Sequence, residues 1–90
     1  MRPIYLYIEK YGIIRKVAVD TAYLFSHKQI RLPKWQFEER LYLNYLSDSN
    51  NNDSKIERYF LTKDKIIKED ENFYYFKFPF KYEQVSDIAV

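Results

Sequence analysis

Apolar and polar positions alternate with period two over most of this chain, the pattern of strands with one buried and one solvated face. Ile4, Leu6 and Ile8 alternate with Tyr5, Tyr7 and Glu9. Lys10-Tyr11-Gly12 follows and holds the only glycine, the residue best able to take positive φ, so a tight hairpin turn is predicted. The return strand starts at Ile13. Val17, Val19, Thr21, Tyr23 and Phe25 share one parity while Ile14 breaks it, which predicts a long strand with a bulge near Arg15-Lys16. Ser26-His27-Lys28 is a polar break, and Ile30 and Leu32 make a short alternating piece stopped by Pro33.

Residues 34–46 are ambiguous. Good helix formers and a proline at a potential first turn favour a helix. At 100° per residue, however, Trp35, Phe37, Leu41, Tyr42, Leu43 and Tyr45 spread over more than half the circumference, and Leu32 is no N-cap. Strand is the better reading, interrupted at Glu38-Glu39. Residues 47–54, SDSNNNDS, contain nothing apolar and predict an exposed loop. Alternation resumes over 55–62, Lys63-Asp64 reads as a turn, and Ile66-Ile67 faces Phe73-Tyr74 across a second polar turn at 69–72. The densest stretch is 72–82, NFYYFKFPFKY, in which seven of eleven residues are aromatic. Tyr74, Phe76, Phe78, Phe80 and Tyr82 fall on one parity and Lys77, Pro79 and Lys81 on the other. Five adjacent aromatics left in water would make an aggregation-prone patch, so the even face is expected to wall the core. Pro79 cannot donate to a sheet ladder, which places this strand at an edge or its end near Pro79.

About six short strands with turns between them predict an all-β fold, a small antiparallel β-sandwich of immunoglobulin-like architecture. The alternatives are an SH3-like or OB-like barrel, or an α+β fold if 34–46 is helical. Ninety residues make one domain, expected over 1–82 with a C-terminal tail at 83–90. Without cysteine, and with one histidine, neither disulfides nor a Cys/His zinc site can be built. The ten Tyr, seven Phe and one Trp must supply the core instead. No apolar run is long enough to span a bilayer and no signal peptide is evident, so a cytoplasmic or virion location and no membrane partner are expected.

The net charge of +2 argues against a polybasic protein, although residues 10–34 carry six bases against Asp20 alone. Catalysis finds little footing. Ser26, His27 and Asp20 form a triad only on paper, and neither Glu38-Glu39 nor Glu69-Asp70-Glu71 has calcium-loop spacing. A phosphate loop needs more than one glycine. No enzyme activity and no cofactor are expected. Tyr and Lys on an outward sheet face suit either protein contacts or stacking of single-stranded nucleic acid. The candidate interaction residues are Tyr5, Tyr7, Tyr75, Lys77, Pro79 and Lys81. Protein partners or self-assembly lead the functional reading, because aromatics exceed what so small a core needs. The abundance of Lys, Asn, Ile, Tyr and Phe matches A/T-rich codons, which suggests a phage or mobile-element product: a virion component, or alternatively an inhibitor of a host defence protein.

Overall fold

A computed structural model describes residues 4–38, 40–46, 55–81 and 85–86. The elements are β1 (Tyr5–Lys10), β2 (Ile13–Ala18), α1 (Thr21–His27), β3 (Gln29–Pro33), β4 (Leu41–Leu46), β5 (Ile56–Phe60), β6 (Ile66–Glu69), β7 (Phe73–Lys77) and β8 (Val85–Ser86). Single 3-10 turns lie at Lys34–Gln36 and Lys63–Lys65. Strands dominate and form two antiparallel sheets. In the first, the order is β2-β1-β4-β5. One edge of β4 is shared, with β1 pairing its start (Tyr7 with Tyr42, Ile8 with Leu41) and β8 pairing its end (Asn44 with Ser86, Tyr45 with Val85). The second sheet has the order β3-β7-β6.

Leu6, Ile8, Leu41 and Leu43 of the first sheet meet Ile30, Leu32 and Phe76 of the second in one buried cluster, to which Leu24 of α1 and Phe78 also belong. The fold is therefore a small all-β sandwich, as the alternation predicts, and neither a barrel nor an α+β protein. Among the described residues of 34–46, only the 3-10 turn is helical. Beyond it Leu41, Tyr42, Leu43 and Asn44 are each fully buried, so β4 is covered on both faces, which is why its residues read poorly as an amphipathic helix.

The first hairpin closes on a two-residue turn in which Tyr11 (φ 54°) and Gly12 (φ 75°) both take positive φ, the type I′ geometry that matches strand twist. The bulge expected near Arg15-Lys16 is absent, because the pairing runs unbroken from Tyr5–Ala18 to Lys10–Ile13. Ile14 breaks parity simply because it sits opposite Glu9 on the outer face of an edge strand, where an apolar side chain is tolerated. The irregularity lies instead in β6, between Ile66 and Lys68.

A larger correction concerns residues 19–27, expected to continue the strand. The chain leaves the sheet at Val19, whose N–H donates to Ile4 (3.1 Å), and turns into α1. Asp20 is the N-cap, its carboxylate accepting from the Tyr23 N–H at 3.1 Å. Lys28, at φ 56° and ψ 36°, ends the helix in a left-handed cap, and its N–H donates to the Leu24 carbonyl at 2.7 Å. Leu24 is the one buried residue of the helix, so a single anchor and two caps define it.

The aromatic stretch behaves as expected on its inner face. Phe76 and Phe78 are buried, and Tyr74 and Phe80 pack against the core; Tyr82 lies outside the described residues. Of the two placements that Pro79 allows, an edge strand or a strand end, the second is found. β7 is the central strand, flanked by β3 and β6, and ends two residues before Pro79, so the proline marks an end and not an edge. The expected tail contributes β8 at Val85–Ser86; the rest of 83–90, and the 47–54 loop, lie outside the described residues.

Candidate interaction surface

The outward tyrosines of β1 are structural. Lys16, Tyr7, Tyr42 and Phe60 line up across four strands on the outer face of the first sheet. Tyr7 stacks on Tyr42 at 5.6 Å, the Arg58 guanidinium lies over the Tyr42 ring at 4.7 Å, and Arg40 lies 5.7 Å from the Phe60 ring. Glu9 holds both arginines, at 3.4 Å from Arg58 and 3.8 Å from Arg40. Tyr7 is fully buried as a result, and Tyr5 is half-buried beside the Lys16 ammonium.

The outer face of the second sheet is also a closed network. Arg31, Tyr75 and Lys68 form one row across β3, β7 and β6. The Arg31 guanidinium lies 4.4 Å from the Tyr23 ring and 4.8 Å from Phe73, and its charge is met by Asp20 at 2.7 Å. The Tyr23 N–H and then Arg31 hold the Asp20 carboxyl below the usual carboxylate range. On its other side Tyr23 stacks on His27 at 4.1 Å. Tyr75 is buried beneath Lys68, and its hydroxyl donates to Asp70 at 2.6 Å. That bond pushes the phenol's pKa up and is the first cause of the lowered pKa of Asp70. No catalytic triad forms here, since Asp20 is turned to Tyr23 and Arg31 while Ser26 contacts the His27 Nδ1 at 2.7 Å. Among the described residues no group of three or more His, Asp or Glu side chains can hold a metal ion, and no helix is long and apolar enough to cross a membrane.

The remaining candidates come together at the end of β7. Lys77 and Pro79 are exposed, and Pro79 and Lys81 line a cleft of 210 Å³ whose other walls are Leu24, Phe25, Lys28, Phe78 and Phe80. The cleft exists because the Phe78 N–H donates to the Lys28 carbonyl at 3.3 Å, which draws the segment after β7 across the C-terminal turn of α1.

Two further residues escaped the sequence reading. Tyr11 is 91% exposed at the tip of the first hairpin, and Trp35, in the stretch read as an interrupted strand, is 81% exposed in the 3-10 turn after β3. Ile13 is also largely exposed, and a Lys10–Glu38 ion pair at 4.0 Å ties the hairpin to the segment that carries Trp35. One signal was available: a type I′ turn favours Asn-Gly or Asp-Gly, and this chain has Tyr-Gly. No family model, curated protein or solved structure matches the chain.

Proposed function

We propose that this chain is a non-enzymatic module that binds another protein through the exposed side chains of Tyr11, Ile13 and Trp35. The observation that carries the reading is Tyr11. It holds a left-handed backbone that costs a non-glycine residue about 1–2 kcal/mol, and it buries almost none of its ring in return. Strain retained at an exposed aromatic is offset when a partner covers the ring. Trp35, of the residue type most enriched at binding hot spots, stands on the segment tied to the same hairpin.

Sedimentation over a wide concentration range, with wild type beside Tyr11→Ala and Trp35→Ala, tests the reading. Self-association that both variants weaken supports the narrower form, an assembly subunit such as a virion component. A monomer at every concentration rejects that form and leaves a hetero-partner, for instance a host protein that the chain inhibits. Capture experiments must then retain a partner with wild type and lose it with both variants. Oligonucleotide binding that falls steeply with salt, without any protein capture sensitive to Tyr11 or Trp35, would replace the proposal with nucleic-acid binding.

A further inference from the structure

We propose that the cleft at the end of β7 is a second contact site, which takes a single apolar side chain from an acidic segment of a protein partner. The inference rests on the protein-binding reading and adds to it a site and a partner chemistry. Three observations support it. The first is size. A volume of 210 Å³ falls below the roughly 300–1,000 Å³ of small-molecule sites, yet exceeds the engineered cavity of about 150 Å³ that holds a benzene ring. One aromatic or branched aliphatic side chain is the matching cargo.

The second is the lining. Leu24, Phe25, Phe78, Pro79 and Phe80 make an apolar floor with walls, and Leu24 and Phe78 belong to the buried core, so the floor is anchored and does not have to form on binding. The third is charge. Lys28 and Lys81 line the cleft, Lys77 stands one residue before Phe78, and among the described residues no carboxylate lines it. Arg31 of β3 is matched by Asp20, and Lys34, just beyond β3, by Glu69, while Lys68 of β6 lies over the Tyr75 ring. Lys28 and Lys77 have no carboxylate partner among the described residues. An apolar floor beside the unmatched charges of Lys28 and Lys77 is complementary to an apolar side chain flanked by carboxylates, which steers encounter and fixes orientation. Nucleic acid would use the lysines but leave so narrow an apolar floor unused, and is therefore the less favoured occupant.

The test is fluorescence anisotropy of the full chain with a labelled pentapeptide carrying phenylalanine between two pairs of aspartates. Matched peptides carry central alanine, or lysines in place of the aspartates, and an oligothymidine is the nucleic-acid arm. Binding is expected for the first peptide only, with a loss of about tenfold on exchanging the phenylalanine for alanine. Lys28→Gly is the decisive variant. Because Lys28 sits at φ 56°, glycine relieves backbone strain while removing a rim charge, so this variant should melt no lower than wild type yet bind the peptide several-fold more weakly. Lys77→Gln, on an exposed outward position, should weaken binding in the same direction. Binding indifferent to the central phenylalanine or to Lys28 and Lys77, no peptide binding at all, or binding of the oligothymidine alone would each overturn the proposal. Trp35→Ala leaves the cleft untouched and should bind the peptide as wild type does. Partner capture that depends on Tyr11 and Trp35 while the peptide fails rejects the cleft and keeps the module. Peptide binding without any such capture keeps the cleft and rejects the Tyr11–Trp35 surface.

Discussion

Tyr11 and Asp20 show how much individual residues decide here. At Tyr11 the turn's geometry and the side chain disagree, whereas Asn tolerates positive φ and makes the favoured pair with Gly12. Tyr11→Asn is therefore expected to raise stability by about 1 kcal/mol, read as a higher urea midpoint, while reducing partner binding. A variant less stable than wild type would show that the ring contributes to the fold. Asp20 has the opposite character, since its carboxylate caps α1 through the Tyr23 N–H and pairs with Arg31. Asp20→Ala removes both and should cost about 1 kcal/mol or somewhat more, the ion pair being largely solvated. Asp20→Asn keeps a good cap and should cost less; an equal loss in the two variants would assign the effect to charge. Neither role was legible from parity, which registers which side a residue faces and carries no information on φ or on capping.

Elements were legible in proportion to how many periods they contain. β1, the turn at Tyr11-Gly12, β3 and the inner face of β7 follow directly from alternation, because each sets several apolar side chains against one core. α1 spans only seven residues with Leu24 as its single buried side chain, too few to establish a 3.6-residue period, and Thr21, Tyr23 and Phe25 mimic a strand. Its signals were the capping aspartate and the polar stop at Ser26-His27-Lys28. The candidate residues were sorted for the same reason. Parity separates Tyr75 and Lys77 from the core side of β7, but not Tyr75 buried under Lys68 from Lys77 exposed to water, a distinction made by the neighbouring strand. Because α1 hangs on one anchor, Leu24→Ala should be costly out of proportion to its length. Core truncations of this kind cost about 2–5 kcal/mol against a total stability of about 5–15 kcal/mol. The variant should lose helix α1 and the adjoining cleft in amide exchange before the sheets open. Uniform loss of protection across the molecule would instead place Leu24 at the centre of one cooperative unit.

For the whole molecule, charged and phenolic groups define a pH window. Asp20, Asp64 and Asp70 all have lowered pKa values, through the Tyr23 N–H and Arg31, the Thr62 hydroxyl, and the Tyr75 hydroxyl with the Asn72 and Phe73 N–H groups respectively. A folded-state pKa below the unfolded one contributes stability that is complete above the unfolded value and disappears as pH falls through the folded one. Stability should therefore be level above about pH 5 and decline below about pH 4. At the other end Tyr45, Tyr59 and Tyr75 have raised pKa values, by the bond to Glu57, by burial and by the bond to Asp70, and Lys34 is raised by Glu69. In each the folded state binds its proton more tightly, so that contribution is complete below the unfolded value and is lost above about pH 10. Urea midpoints measured at intervals across this range should trace a plateau with two falling limbs. Asp70→Asn discriminates further. Asparagine can still accept from the Asn72 and Phe73 N–H groups, which both bond one carboxylate oxygen at 2.9 and 2.8 Å, so the turn between β6 and β7 should persist. Its neutral amide should make the acid limb shallower and bring the Tyr75 phenol back towards its ordinary pKa, because the bond to Asp70 is the first cause of that shift. Wild type and Asp70→Asn losing stability in parallel below about pH 4 would show that the acid limb belongs to Asp20 and Asp64 instead.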